Sequence, residues 1–468
     1  MNVRVCLVLE GSYPYSCGGV SSWTHQYIQA FPEVEFVLWC ICAKAEDKGA
    51  FKYIIPDNVV EIQEVFLGDA LNLRTTRKRV RLKKEEMNEL VKLLECKVLN
   101  WDVLFHLFHD KKMNPTSLLM SREFLDILIK ICLEKYPYNS FSDMFHSERS
   151  MLLPELYIMT KEIPKADIYH AISTGYSGIL ASMGKWKYQK PLILTEHGIY
   201  TREREEEILR AKWVLPQFRQ QWIDLFYVFS DCIYKNADII TALYERANDI
   251  QQELGCQKEK LRTIGNGIHY EKFSSIPVKK PDGFIDIGAI VRIAKIKDIK
   301  TMIYAFAELN ERLPNVRLHI LGGVDDEEYF EECKNLVKLL QIQNLYFKGI
   351  VDTVEYMQKL DFTILASISE GQPLSILESF AAQRPCVATD VGCCRELLEG
   401  TGDDQMGNAG ICVSPMHKDD LAQAMYYLCT EEKVRIKMGK VAQQRVKLYY
   451  THGSSMEKYR NLYQEVNQ

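Results

Sequence analysis

The chain lacks several features that would assign it to a class at once. Its 468 residues contain no run of about 18 uncharged apolar residues, so no segment reads as a membrane-spanning helix. The opening MNVRVCLVLEGSYPY has only a short apolar run, closed by Glu10, and reads as a first core strand rather than a signal peptide. The 14 cysteines include no C-x-x-C, which excludes zinc-ribbon spacing. Several of them (Cys6, Cys40, Cys386, Cys412) lie inside apolar runs, and reduced, buried thiols in a cytoplasmic protein are the simplest reading. Neither sign of charge dominates. The 58 basic and 63 acidic side chains leave a net charge of −5, which argues against a general nucleic-acid binder. The dinucleotide fingerprint G-x-G-x-x-G is absent, which disfavours a nicotinamide enzyme, and no repeat recurs at the period of a solenoid.

What is present is a globular composition, 47% hydrophobic and 26% charged, long enough for two or three domains. The order of elements is α/β. A strand over 3–9, a polar loop, a helix from Val20 with Val20, Trp23, Tyr27 and Ile28 on one face, and a strand over 35–42 make the unit of a parallel sheet. Residues 66–165 break that rhythm with Leu, Lys, Glu, Phe and Met at helical spacing, and read as a helical insertion. Strands over 166–172, 191–195, 237–243 and 261–264 resume the pattern, with helices over 213–236 and 245–255. Residues 271–283 have linker composition, and six strands alternating with helices follow. The expected architecture is two Rossmann-like, doubly wound parallel-sheet domains facing across a cleft. They cover 1–270 and 283–445, and 446–468 form a terminal helix that crosses back to the first domain.

The strongest local signal is Ser369-Glu370-Gly371-Gln372-Pro373-Leu374-Ser375-Ile376-Leu377-Glu378, between a strand end and a helix. Gly371 permits close backbone approach, Pro373 suits a first helical turn, and the amides of that turn make an anion site. Glu370 stands on the loop. Glu378, one turn into the helix, can accept two hydrogen bonds from a ribose diol, although an isolated glutamate there would ordinarily just face solvent. The second signal is Val291-Arg292-Ile293-Ala294-Lys295-Ile296-Lys297-Asp298, where Arg292 and Lys297 in a strand-to-helix loop could hold a diphosphate. Gly18-Gly19 before a helix can present amides to phosphate or to an incoming hydroxyl, a weak signal alone. His197, in Thr195-Glu196-His197-Gly198-Ile199-Tyr200, follows a strand and would face the cleft, and the polar Thr201-Arg202-Glu203-Arg204 after it reads as a mobile, substrate-touching loop. No two aspartates are spaced D-x-D, so no metal is expected on a diphosphate; Arg292, Lys297 and backbone amides must meet its charge.

These residues resemble glycosyltransferase family 4, whose fold is the two-domain GT-B. Glu370 to Glu378 matches its E-x7-E signature and Arg292 with Lys297 its R-x4-K pair. Gly265-Asn266-Gly267-Ile268 resembles its N-G-V/I linker motif, and Ala388-Thr389-Asp390-Val391-Gly392 its A-T-D-V-G-G string, with Cys393 in place of the second glycine. Glu10 to Tyr15, Gly18 to Trp23 and His197 to Arg204 are similar to the PelF-type branch, which supplies the cytoplasmic glycosyltransferase of bacterial Pel exopolysaccharide assembly. The resemblance implies a retaining hexosyltransferase with a UDP-sugar co-substrate, no cofactor or metal, a polysaccharide acceptor and inner-membrane synthase subunits as partners. It implies that Glu378 holds the ribose and Arg292 and Lys297 the diphosphate. Glu370 with the amides of Gly371, Gln372, Pro373 and Leu374 would hold the sugar and phosphate, while His197 approaches the sugar and Gly18 and Gly19 line the acceptor side. A small or lipid-linked acceptor, or a non-catalytic UDP-sugar-binding subunit, are the rival readings. The run from Arg74 to Lys84, seven basic residues in eleven, reads as a solvated helix face or as a dock for anionic lipid or an acidic partner.

Overall fold

The computed structural model describes residues 3–76, 79–402 and 404–467. The chain divides into two compact units, the first holding Met1–Ala242, Ala247–Thr263 and Asn461–Gln468, the second Leu243–Arg246 and Ile264–Arg460.

Each unit is built on one parallel sheet. In the first, β1 (Val3–Glu10), β2 (Val34–Cys42), β3 (Val59–Phe66), β4 (Ile168–Ala171), β5 (Leu192–Glu196), β6 (Ile239–Ala242) and β7 (Leu261–Thr263) lie in the order β3-β2-β1-β4-β5-β6-β7. In the second, β8 (Ile285–Ile290), β9 (Val316–Leu321), β10 (Leu345–Gly349), β11 (Phe362–Leu365), β12 (Cys386–Thr389) and β13 (Gly410–Val413) lie in the order β10-β9-β8-β11-β12-β13. Both sheets therefore wind outward in two directions from their first strand, the Rossmann-like order expected from the sequence. Where the winding reverses, between β1 and β4 and between β8 and β11, the loops at the strands' carboxyl ends part and leave room for a ligand. The central strands read as near-continuous apolar runs because helices cover both faces; Val5 to Val8 and Phe36 to Trp39 are fully buried.

The insertion is helical, with helices over Lys84–Leu94, Trp101–Phe105, Pro115–Leu119, Arg122–Lys135 and Phe141–Ile158. Three of these are started by side chains that accept a first-turn amide: Asn100 from Asp102, Asn114 from Ser117 and Ser121 from Phe124. Leu104, Phe108, Leu152 and Leu156 join one apolar cluster with Cys6, Val8, Trp39 and Ile41 of β1 and β2. The insertion thus covers a face of the first sheet and has no core of its own. The last helix, His452–Val466, gives its residues from Asn461 onward to the first unit, where the Tyr463 hydroxyl meets His170 Nδ1 at 2.9 Å.

Several sequence readings are corrected. Thr201 to Arg204 form no loop: they lie in a helix, Tyr200–Arg210, whose first turn buries Tyr200 and Thr201. Arg77 and Lys78 of the basic run lie outside the described residues. Arg79 to Lys83 are not a helix face but a non-helical approach to the helix that starts at Lys84, and Val80 anchors it by its burial. On the helix Gly19–Ala30 the buried residues are Ser21, Thr24, Tyr27 and Ile28, while Val20 and Trp23 are only partly covered. The edge strand β3, VVEIQEVF, went unread because its polar alternation is that of a strand only half covered. The helix read from Trp213 begins at Arg219, after a short turn opened by Pro216.

Candidate active site

In the second unit the loops after β8 and β11 meet at the point where the winding reverses. Lys297 ends a short turn, Lys295–Lys297, and its ammonium donates to Glu370 Oε1 at 2.6 Å. The two side chains are 16% and 12% exposed, so the ion pair is largely withdrawn from water. The Ser367 hydroxyl donates to the same carboxylate oxygen at 2.6 Å, and Ile368 N donates to Ile296 O at 2.9 Å, which ties the loops together. Asp298, in the left-handed region at φ 46°, turns the chain into the helix Ile299–Arg312 and accepts from Thr301 N at 3.4 Å. Asp is one of the few residues that tolerate this conformation. Arg292 does not join Lys297 and Glu370. It pairs with Asp325 in the loop after β9, and its side chain is 66% exposed.

Gly371 to Pro373 lead into the helix Leu374–Ala381, with Pro373 at its N-cap rather than inside it. The amides that open such a helix have no partner within it and form its positive end. Two contacts brace this loop. Gln372 Oε1 accepts from Asn266 N at 2.5 Å, so the Gly265-Asn266-Gly267-Ile268 string clamps the loop from behind. Gly392, at φ +54°, lies so close that a Cβ there would stand 2.3 Å from the carbonyl oxygens of both Glu370 and Gly371. Cys393 has an ordinary backbone, φ −96°, and donates its amide to Gly371 O at 3.0 Å, so the second glycine of the A-T-D-V-G-G string is dispensable at this position. Glu378 is half-buried in the helix. Burial pushes its carboxyl up to about 7, against the pull of the Lys272 ammonium.

In the first unit, β5 ends at Glu196, a buried carboxylate. It accepts from Thr174 Oγ1 at 2.8 Å, Tyr200 N at 3.1 Å, the Tyr234 hydroxyl at 2.9 Å and Gln251 Nε2 at 2.7 Å. Burial raises its pKa and these hydrogen bonds oppose the rise. Glu196 thereby fixes the turn that carries His197. The imidazole packs edge-on against Trp23, ring centroids 4.6 Å apart, and burial depresses its pKa to about 4, so it is neutral at pH 7. A cavity of about 270 Å³ opens beside it, lined by Glu10, Val20, Thr174, Tyr200 and Arg204 among others. Gly18 and Gly19 are exposed at the start of their helix and do not line this cavity; Val20 does.

Sequence reasoning missed Glu10 and Tyr200 as lining residues, and Ser367 and Asn266 as braces, whereas Arg204 belonged to the stretch read as touching substrate. Glu10 carried a signal, since it is a polar residue closing an apolar strand at the reversal point. Among the described residues no three His, Cys, Asp or Glu side chains converge as a metal site.

The family described as "Domain of unknown function (DUF3492)" matches residues 3–259, and the one described as "Glycosyl transferases group 1" matches residues 284–431. The putative glycosyltransferase EpsD of Bacillus subtilis is 25% identical over 56% of this chain and 71% of its own. The alpha-monoglucosyldiacylglycerol synthase of Streptococcus pneumoniae is 26% identical over 47% of this chain, which thereby spans only about half, 51%, of that relative. The solved structure of Anabaena HepE in complex with UDP superposes with a TM-score of 0.62 at 12% identity, covering 99% of this chain and 100% of that one, so the two share the GT-B fold. The second domain carries the glycosyl transferases group 1 match, and the chain belongs to the family of the domain of unknown function DUF3492.

Proposed function

We propose that the protein transfers a hexose from a UDP-sugar to a growing polysaccharide of the Pel exopolysaccharide type, with retention of configuration and without a metal. The observation that carries this reading is the Lys297–Glu370 pair at the reversal point of the second sheet, directly ahead of the helix Leu374–Ala381. An ammonium has three donors, so Lys297 can keep Glu370 and also take a phosphate oxygen. Arg292, held by an exposed ion pair, swings to the diphosphate at small cost. Glu378 accepts from the ribose hydroxyls. Glu370 and the amides following it hold the sugar and phosphate, and the neutral His197 is the first domain's proposed catalytic group. The acceptor hydroxyl attacks the anomeric carbon on the face the diphosphate leaves. The carbon–oxygen bond to UDP breaks and the hydroxyl proton passes to a phosphate oxygen.

The UDP bound by HepE supports the donor, and the lipid product in the name of the pneumococcal relative supports a lipid-linked acceptor as the second reading. In the first reading the enzyme works in the cytoplasm beside inner-membrane synthase subunits. No described helix is long and apolar enough to cross a membrane itself.

A thermal-shift panel of UDP, GDP, ADP and their sugars, followed by UDP release in the presence of EDTA, tests the proposal. UDP and one UDP-hexose should raise Tm, and release should survive chelation. Failure of UDP to bind overturns the reading, and tight UDP binding without transfer to any acceptor turns it into that of a non-catalytic subunit.

A further inference from the structure

The second unit holds a basic cavity that the transferase reading leaves unused. Asp286, Arg317 and Tyr346 in its lining are each the second residue of their strand, β8, β9 and β10, so it opens at the amino end of the sheet. Lys297 and Glu370 follow the opposite, carboxyl ends of their strands. Arg317 and His319 alternate along β9 and share a face with their cross-strand partners Asp286 and Tyr346. The other face of β9 is ordinary core, with Val316, Leu318 and Ile320 buried. A parallel sheet normally buries both faces in apolar contact, and beside the edge strand β10 one face carries charge instead.

The acids of this face are already spent. Asp286, 2% exposed, accepts from Arg317 Nε at 2.5 Å and lies 2.7 Å from His319 Nε2, and Lys279 pairs with it as well. Asp282, the other carboxylate of the lining, pairs with Arg317 at 2.5 Å and with Lys279 at 3.1 Å. Lys280, Lys348 and Lys359 complete the basic lining. All three are exposed, and among the described residues none of their ammoniums is in an ion pair. Two of them are steadied by rings: the Lys348 ammonium sits 4.6 Å from the Tyr346 centroid, and that of Lys359 4.9 Å from the Tyr356 centroid. Tyr346 stacks on His319, and the Tyr356 hydroxyl is 2.9 Å from His319 Nδ1, so both rings are tied to the buried network. Three like charges around one concavity repel one another and focus an attractive field on a small anion. The space, about 460 Å³, has the size of a small-ligand site, and among the described residues no aliphatic side chain lines it, which leaves no anchor for a peptide or a lipid chain.

We infer that this cavity is a second anion site, for a small molecule bearing two or more phosphates, held by Lys280, Lys348 and Lys359 as point charges and bound together with UDP rather than in competition with it. The inference does not depend on the transferase reading.

Calorimetry on the full chain at physiological salt tests it, with inorganic tripolyphosphate as the probe and UDP present at saturation. One tripolyphosphate should bind, and Lys297→Ala, which cripples the donor site, should bind it as the parent does. Lys348→Gln and Lys359→Gln should each weaken it about 10-fold, one charged hydrogen bond's worth, with UDP affinity and Tm nearly unchanged. Lys440→Gln removes an exposed lysine outside the cavity and should weaken nothing. Phosphatidylglycerol vesicles and poly-glutamate serve as macromolecular probes of the same variants. Three outcomes overturn the inference: tripolyphosphate fails to bind beside UDP, Lys440→Gln weakens it as much as the cavity variants do, or vesicles or poly-glutamate bind through Lys348 and Lys359 while tripolyphosphate does not.

Discussion

The two sheets wind in the same order and open at the same place, yet their openings carry opposite chemistry. At the second, a lysine and a glutamate are paired out of water, an arginine waits on an exposed aspartate, and a helix presents its positive end. At the first, the histidine is neutral, the arginine is committed to a carboxylate, and several buried polar atoms have no hydrogen-bond partner among the described residues. Topology decides where a ligand can sit, and the few residues that close each strand decide which. The second opening offers a ligand positive groups, and at the first the one lining guanidinium is already paired.

The sharpest way to break that contrast is to remove Lys297. Lys297→Ala deletes a charged donor from a preorganised, dry site and leaves Glu370 without its cation, so turnover should fall by about 10²–10³ and UDP affinity should fall with it. Arg292→Ala removes an exposed partner and should melt within a degree or two of the parent, since such surface pairs contribute about 0–1 kcal/mol, while still weakening UDP. His197→Ala should depress acceptor-dependent turnover and spare UDP affinity. Calorimetry with UDP and steady-state kinetics separate the three. Equal loss of UDP affinity in the His197 and Lys297 variants would erase the distinction between the two openings.

A smaller effect compares the two glycines beside the two sites. In Gly392→Ala the new Cβ meets backbone oxygens of Glu370 and Gly371, at a positive φ, so the loop that carries Glu370 has to shift. A loss of about 1–3 kcal/mol is expected, with turnover reduced as well. In Gly198→Ala the new Cβ meets only Glu203 Oε1, the far end of a flexible side chain, and φ is not in the left-handed region. That variant should be close to neutral in denaturant unfolding. The reverse ranking would show that the Glu370 loop is not held by Gly392.

How much of this was legible depends on where the information lies. The second domain was readable almost to the residue: β9, β12 and β13 begin and end where their apolar runs do, because each is a short apolar run bounded by turn residues. The Glu370 loop was legible because its motif joins Gly371, Pro373 and two carboxylates at one strand end. The first domain was harder. The helix Tyr200–Arg210 is written as a charged string, YTREREEEILR, in which only Tyr200, Thr201 and Ile208 are buried, so periodicity gave no sign of it. The clamp of Asn266 on Gln372 joins residues 106 positions apart, and no local pattern encodes that. The company of Arg292 was likewise hidden, since Asp325 lies on a loop from another strand.

Protons sharpen the contrast further, because burial displaces the titrating groups of the two openings in opposite directions. Burial holds Glu378 near 7, above its ordinary 4.5. Its neutral form is therefore favoured in the folded chain, and the stability this contributes is present below about pH 4.5 and is lost as pH rises through 7. Ribose hydroxyls that donate to Glu378 favour the ionised form. UDP binding near pH 6.5 should then release a fraction of a proton, read by calorimetry in buffers of different ionisation enthalpy, and Glu378→Gln should abolish the release. His197 is displaced the other way, to about 4 from 6.5, so the unfolded chain takes up its proton first and stability falls as pH drops from about 6.5 to 4. His197 stays neutral throughout the range in which Glu378 titrates, and its substitution should leave the proton release on UDP binding unchanged. Proton release that vanished in His197→Ala and persisted in Glu378→Gln would reverse the assignment of ribose and sugar to the two openings.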